Sequence, residues 1–118
     1  MGRHAAMVTT WESSVPGREA KAIEVFMDYL TILGKQAADG NVSEPEAYLR
    51  YDGSGGMGLV RGDSTVLMEL WESDEFRDVL ARAQLTVQNL HTELYAAGDT
   101  VQDTVGNFTR VAGEMGYM

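Results

Sequence analysis

The sequence has no cysteine. That excludes disulfides, thiolate metal sites and cysteine nucleophiles together, and it fits a reducing, cytoplasmic setting. Basic residues are scarce, nine against eighteen acidic ones, for a net charge of -9. A nucleic-acid partner needs a basic footprint that replaces phosphate counterions, so DNA and RNA are set aside. An anionic membrane surface is repelled in the same way. No apolar run approaches the roughly 20 residues of a membrane span, and the first residues carry no signal-peptide apolar region.

What is present suits one domain. The chain has 118 residues, 44% of them apolar. A domain of this length buries only about two-thirds of its unfolded surface, so self-association would shield more. Residues 1–6 are set aside as a disordered start or an expression remnant, and residues 7–118 are read as a single α+β domain.

Met7 to Ser13, rich in β-branched and aromatic residues, reads as a strand. Pro16-Gly17 breaks it. Ile23, Phe26, Leu30, Leu33 and Ala37 recur at spacings of three and four, which predicts a helix ended by Asp39-Gly40. Glu46 to Asp52 reads as a second strand, with Pro45 at its start. Asp52 to Gly56 is a hairpin-like loop. Met57 to Arg61 is a third strand in which Gly58 marks a bulge or a close backbone approach. Residues 64–72 fit a strand or a helix. Helix is preferred, because Val66, Leu67, Leu70 and Trp71 share one helical face and Asp63 or Ser64 can cap it. Ser73-Asp74 looks like a kink with a fresh cap. Leu90 to Ala97 alternates as a fourth strand. Val101, Val105, Phe108, Val111 and Met115 step along a last helix, which Gly106 and Gly113 weaken by about 1 kcal/mol each, so that it needs a docking surface.

The order β-α-β-β-α-β with an added C-terminal helix is the ferredoxin-like, split βαβ arrangement. Helices cover one face of its antiparallel sheet and leave the other open. An uncovered apolar face marks an interface, and two sheets meeting face to face would bury it. A homodimer is therefore expected.

Val15-Pro16-Gly17-Arg18-Glu19, Tyr51-Asp52-Gly53-Ser54-Gly55-Gly56 and Glu72-Ser73-Asp74-Glu75-Phe76-Arg77, taken in that order, resemble small bacterial proteins, actinobacterial ones above all, of the dimeric α/β-barrel group. The resemblance spans residues 7–98. It implies a homodimer with a cavity between or beside the sheets. The group it points to includes cofactor-free monooxygenases, haem-degrading enzymes, isomerase-like enzymes and members without known activity. The C-terminal helix departs from its minimal pattern.

Several motifs yield to simpler explanations. Gly53, Gly55 and Gly58 spell G-x-G-x-x-G, but dinucleotide binding needs a helix next, and a strand-like run follows. Gly62-Asp63-Ser64 resembles an esterase nucleophile block, yet no acid-x-x-histidine accompanies it, and a helix cap explains it better. Arg61-Gly62-Asp63 is a turn, and Asn107-Phe108-Thr109 has no secretory signal to make it a glycosylation acceptor. With only His4 and His91, a metal site is not expected, and no cofactor is called for.

His91, Glu93 and Tyr95 would project from one face of the fourth strand and could transfer protons on a bound molecule. Their structural alternative is a dimer contact or a solvated edge, which is favoured. Trp11 and Arg50 could line the same open face and hold a ligand, although strands one and four are not expected to be neighbours. Three functions remain. The first is a dimeric domain binding a small apolar molecule. The second is a cofactor-free oxygenase or isomerase acting on a small hydrophobic substrate, with His91 as general acid or base and Tyr95 or Arg50 polarising an oxygen. The third is a partner-binding module that uses the last helix.

Overall fold

The computed structural model describes residues 2–118. Its elements are β1 (His4–Glu12), α1 (Glu19–Ala38), β2 (Glu46–Leu49), β3 (Gly55–Asp63), α2 (Ser64–Glu72), α3 (Asp74–Gln84), β4 (His91–Ala96) and α4 (Thr100–Glu114). The four strands form one antiparallel sheet in the order β2-β3-β1-β4. This is the expected ferredoxin-like α+β fold followed by one extra helix. β1 and β4 are hydrogen-bonded neighbours, with Val8 opposite Glu93, which corrects the expected separation of the first and last strands.

β1 begins at His4, three residues before the expected Met7. Ala5 and Ala6 are buried and pair with β3 on one side and β4 on the other. Alanine has little intrinsic preference for strands. Here two neighbouring strands run on past Met7, and the ladder they offer on both sides outweighs that preference.

The pleat sorts the sheet into two faces. Ala5, Met7, Thr9 and Trp11 point to the helices with Gly58 and Val60 opposite them, and Leu94 lies beside Met7 on the same side. Met7, Leu33, Val60, Leu67, Phe76 and Val79 are the largest fully buried side chains, so the core lies between this face and α1, α2 and α3. The stretch 64–72 is helical. Asp63 caps α2 by accepting from the Thr65 amide at 2.8 Å, and Ser73 caps α3 by accepting from the Phe76 amide at 3.3 Å.

The buried seam of α1 is Ala22, Val25, Tyr29 and Leu33; it keeps Leu33 of the expected stripe but otherwise lies one position earlier, with Phe26 and Leu30 half-buried at its side. Ile23 is 65% exposed instead of buried. The reason lies in β3. A Cβ on Gly58 would come within 2.6 Å of the Tyr29 hydroxyl, so the ring occupies the space a side chain would fill. Gly58 is the close backbone approach that the sequence suggested, and the residue it admits turns the helix.

α4 forms but does not dock. Among the described residues its main contact is with β4, and Phe108 is 71% exposed. The radius of gyration is 16.6 Å, against roughly 13–14 Å for a compact domain of this length. The helix projects from the body as an arm.

Gly58→Ala should force the Tyr29 ring out of its seat and lower stability by about 1–3 kcal/mol, read as a lower urea midpoint. An unchanged midpoint would mean that the ring does not set the helix–sheet distance.

Candidate functional site

A cavity of about 220 Å³ lies between the helix-covered face of the sheet and helices α1 and α3. Val25 and Phe26 of α1 and Val79, Leu80 and Ala83 of α3 supply apolar walls. Trp11 stands against Phe26 with ring centroids 5.5 Å apart, and the aromatic contacts continue from Phe26 to Tyr29 and from Tyr29 to Phe76. One side is closed where β1 runs on past its end: the Val15 amide donates to Thr86, and Gln88 donates to Ser13.

Tyr29, Thr9 and Thr86 bring polar side chains to the apolar interior. Tyr29 lies beside Thr9, and the Thr9 and Thr92 hydroxyls are 3.0 Å apart. Burial pushes the Tyr29 phenol up to about 12, with the Thr9 hydroxyl pulling partly the other way. At neutral pH this phenol is protonated and can donate a hydrogen bond, but it cannot serve as a base. Thr86 also lines the cavity, with its hydroxyl turned to the carbonyls of Arg82 and Ala83 at 3.2 Å.

The mouth carries the charge. Glu12 and Arg50 stand there with Ile23 and Leu49, beside the hairpin glycines Gly53 and Gly55. Glu12 accepts from the Asn89 side-chain amide at 2.8 Å. The hairpin turns on Asp52, whose carboxylate accepts from the Ser54 amide at 2.9 Å and hydroxyl at 2.6 Å. Gly53 and Gly55 both have positive φ, and β3 follows directly, so the glycine pattern builds a turn rather than a phosphate cradle.

The sequence-derived candidates are divided by the sheet. Trp11 and Arg50 line the cavity. His91, Glu93 and Tyr95 share the opposite, open face, where they neighbour Thr10, Val8 and Ala6 in turn. A second, more open depression of about 320 Å³ at one end of that face is bounded by Thr10, Tyr48, Met57 and His91, and Trp11 and Arg50 border it too. His91 therefore approaches Trp11 and Arg50 only at this rim, while Glu93 and Tyr95 run away from it along β4. The larger volume is the weaker site, because it is open to solvent and has no buried donor. Sequence reasoning missed Tyr29, Thr9 and Phe26 as cavity residues. The available signal was a glycine inside β3, which required a large side chain opposite.

The open face has an ordered composition. Val8, Met57 and Leu59 are half-buried at its centre. Each edge strand carries a glutamate two residues before a tyrosine. On β2 the Tyr48 hydroxyl donates to Glu46 at 2.8 Å, and Arg61 pairs with the same carboxylate at 2.6 Å. On β4 the Glu93 carboxylate stands beside Tyr95, and both phenols are raised by their glutamates. Among the described residues no group of three or more His, Asp or Glu side chains is placed to hold a metal ion.

No family model matches this sequence, and no curated protein matches it. Solved structures do match in fold. Rv0793 from Mycobacterium tuberculosis is 16% identical with a TM-score of 0.62, over 81% of this chain and 96% of that one. SnoaB, a cofactor-independent oxygenase from Streptomyces nogalater, is 12% identical with a TM-score of 0.64, over 82% of this chain and 95% of its own. A Caulobacter crescentus protein, provisionally described as an antibiotic biosynthesis monooxygenase, is 16% identical with a TM-score of 0.63, over 82% and 92%. These neighbours share the ferredoxin-like α+β fold of this chain.

The Tyr29 phenol makes stability depend on alkaline pH. Its folded value, about 12, lies above the 10.0 of an ordinary tyrosine. The stabilisation is therefore complete below pH 10 and is lost as pH rises through 12. The loss should reach about 2–3 kcal/mol, measured by urea unfolding from pH 9 to 12. Tyr29→Phe should flatten that slope. An equally steep slope in the variant would refute the assignment.

Proposed function

We propose that this chain is a homodimeric protein that binds a small, largely apolar molecule in the cavity between α1, α3 and the sheet. The carrying observation is an apolar cavity that places one protonated, buried phenol, Tyr29, over an otherwise greasy interior. Pockets of this kind obtain affinity from apolar contact and orientation from a few placed polar groups. Tyr29 would donate to an oxygen of the ligand, Trp11 and Phe26 would flank its ring, and Arg50 at the mouth would meet an oxygen or an anionic group on the outer end. A compact aromatic molecule bearing a hydroxyl or carbonyl fits these constraints.

The likeness to SnoaB favours a second reading, a cofactor-free oxygenase or isomerase acting on a small hydrophobic substrate. Such chemistry needs a group that accepts a proton at neutral pH. Among the described residues, the cavity's polar lining is the Tyr29 phenol, the hydroxyls of Thr9, Ser14 and Thr86, and Glu12 and Arg50 at the mouth. Binding is the simpler reading of this interior. His91 could act as acid or base, with Tyr95 or Arg50 polarising an oxygen, only for a molecule held on the open face.

In the dimer, that open face is the contact between copies. Its apolar centre and its Glu–Tyr edges match the dry core and polar rim of an interface. His91, Glu93 and Tyr95 then belong to the rim.

Binding is tested with 1-naphthol, followed through Trp11 fluorescence in a Trp71→Phe background. Saturable quenching is expected, weakened about threefold to tenfold by Tyr29→Phe, the worth of one hydrogen bond. Ala83→Phe should fill the cavity and abolish it. Quenching that survives Ala83→Phe would place the site elsewhere. Oxygen uptake with a dihydroxynaphthalene, retained in Tyr29→Phe and lost in His91→Ala, would favour the second reading.

Leu59→Glu puts a carboxylate at the centre of the open face. It should raise the dimer dissociation constant by at least about a hundredfold, given a cost of several kcal/mol for an unpaired buried charge. Sedimentation that shows no change would remove the sheet from the interface.

A further inference from the structure

We propose that α4 is a self-association element whose apolar stripe pairs with the α4 of a second copy. Val101, Val105, Phe108, Ala112 and Met115 follow one another at intervals of four, three, four and three. That alternation matches the seam of a two-helix coiled coil, with Val111 widening it on one side. All but Ala112 are exposed, and Val105 is 59% accessible.

The helix cannot account for its own stability. It has fifteen residues, two of them glycine, and no side-chain bond at its N-cap. Isolated helices of about 12–15 residues are marginal in water even with better composition. Its C-terminus is nevertheless well closed. Gly116, at positive φ, and Tyr117 donate their amides to Gly113 and Ala112, which satisfies the last carbonyls. A finished helix with an uncovered seam implies a partner.

Charge selects that partner. The positions flanking the seam are Gln102, Thr104, Thr109 and Val111, all uncharged. The charged residues Asp103, Arg110 and Glu114 sit on the outer side, where Arg110 pairs with Glu114. A molecule of net charge -9 repels its own copies almost everywhere. The seam is a surface on which two copies can meet without setting like charges opposite each other. A two-fold contact requires such a self-complementary patch. The polar side has no basic residues in excess, so an anionic membrane is disfavoured as the occupant. The inference stands apart from the cavity and from the sheet-to-sheet contact.

Because the chain has no cysteine, single cysteines can be installed cleanly. Full-length Thr109→Cys, at the flank of the seam, should be joined between copies by a short bismaleimide. Asn107→Cys, on the outer side, should not. In sedimentation, Phe108→Asp should raise the dissociation constant of self-association at least tenfold. Asn107→Asp, which makes the same charge change off the seam, should leave it unaltered. Amide exchange in α4 should slow as protein concentration rises. The proposal is overturned if Phe108→Asp associates like wild type, if wild type stays monomeric at 100 μM, or if both cysteines cross-link alike. It is also overturned if α4 protection is independent of concentration, which would dock the helix on its own body, or if protection appears only with phosphatidylglycerol vesicles. Loss of association in Leu59→Glu with Thr109→Cys cross-linking retained would separate the two contacts.

Discussion

The closeness of α1 to the sheet rests on one ring against one missing side chain. Tyr29 reaches the β3 backbone because position 58 has no Cβ, and the helix turns to follow it. Ala22, Val25 and Leu33 then become the buried seam, and Ile23 moves to the mouth of a cavity instead of into the core. Further along the same face Trp11 meets Phe26 and the layers enclose free volume. The ring that pins the layers together is also the only phenol in that volume. Packing and candidate chemistry are therefore the same contact, and a substitution there tests both.

Much of the fold was legible because its signals are local. Asp63 and Ser73 cap the helices that their positions suggested, since a side-chain oxygen one to three residues ahead of an apolar run has few other uses. Alternation in residues 91–96 placed His91, Glu93 and Tyr95 on one face, because the pleat leaves no choice. Gly58 announced a close approach. The glycines at 53 and 55 were legible as a turn because β3, not a helix, comes next.

The remainder depended on partners distant in sequence. The start of β1 was hidden because alanine pairs well only when strands flank it on both sides. The seam of α1 was misplaced because counting only the most apolar residues passes over Ala22 and Tyr29. Trp11 and His91 could not be assigned to opposite faces until the β1–β4 register was known. The cavity is a property of layer spacing, which no single element encodes.

Acidity ties the surfaces together. With twice as many acidic as basic residues, this chain keeps most molecules like itself at a distance. Long-range repulsion does not prevent association; it confines it to patches where desolvated apolar area outweighs the charge. The two patches proposed as contacts between copies are both flanked in a way that spares them charge. On the open face the glutamates are drawn to the edges, where Arg61 and the tyrosine hydroxyl occupy Glu46 and Tyr95 adjoins Glu93. On α4 the acidic residues, Asp103 and Glu114, are turned to the outer side. Raising the salt concentration screens the repulsion but leaves apolar burial intact. Self-association through these patches should therefore strengthen with ionic strength, whereas a complex held by salt bridges would weaken. The sign of that dependence follows from where eighteen carboxylates are not.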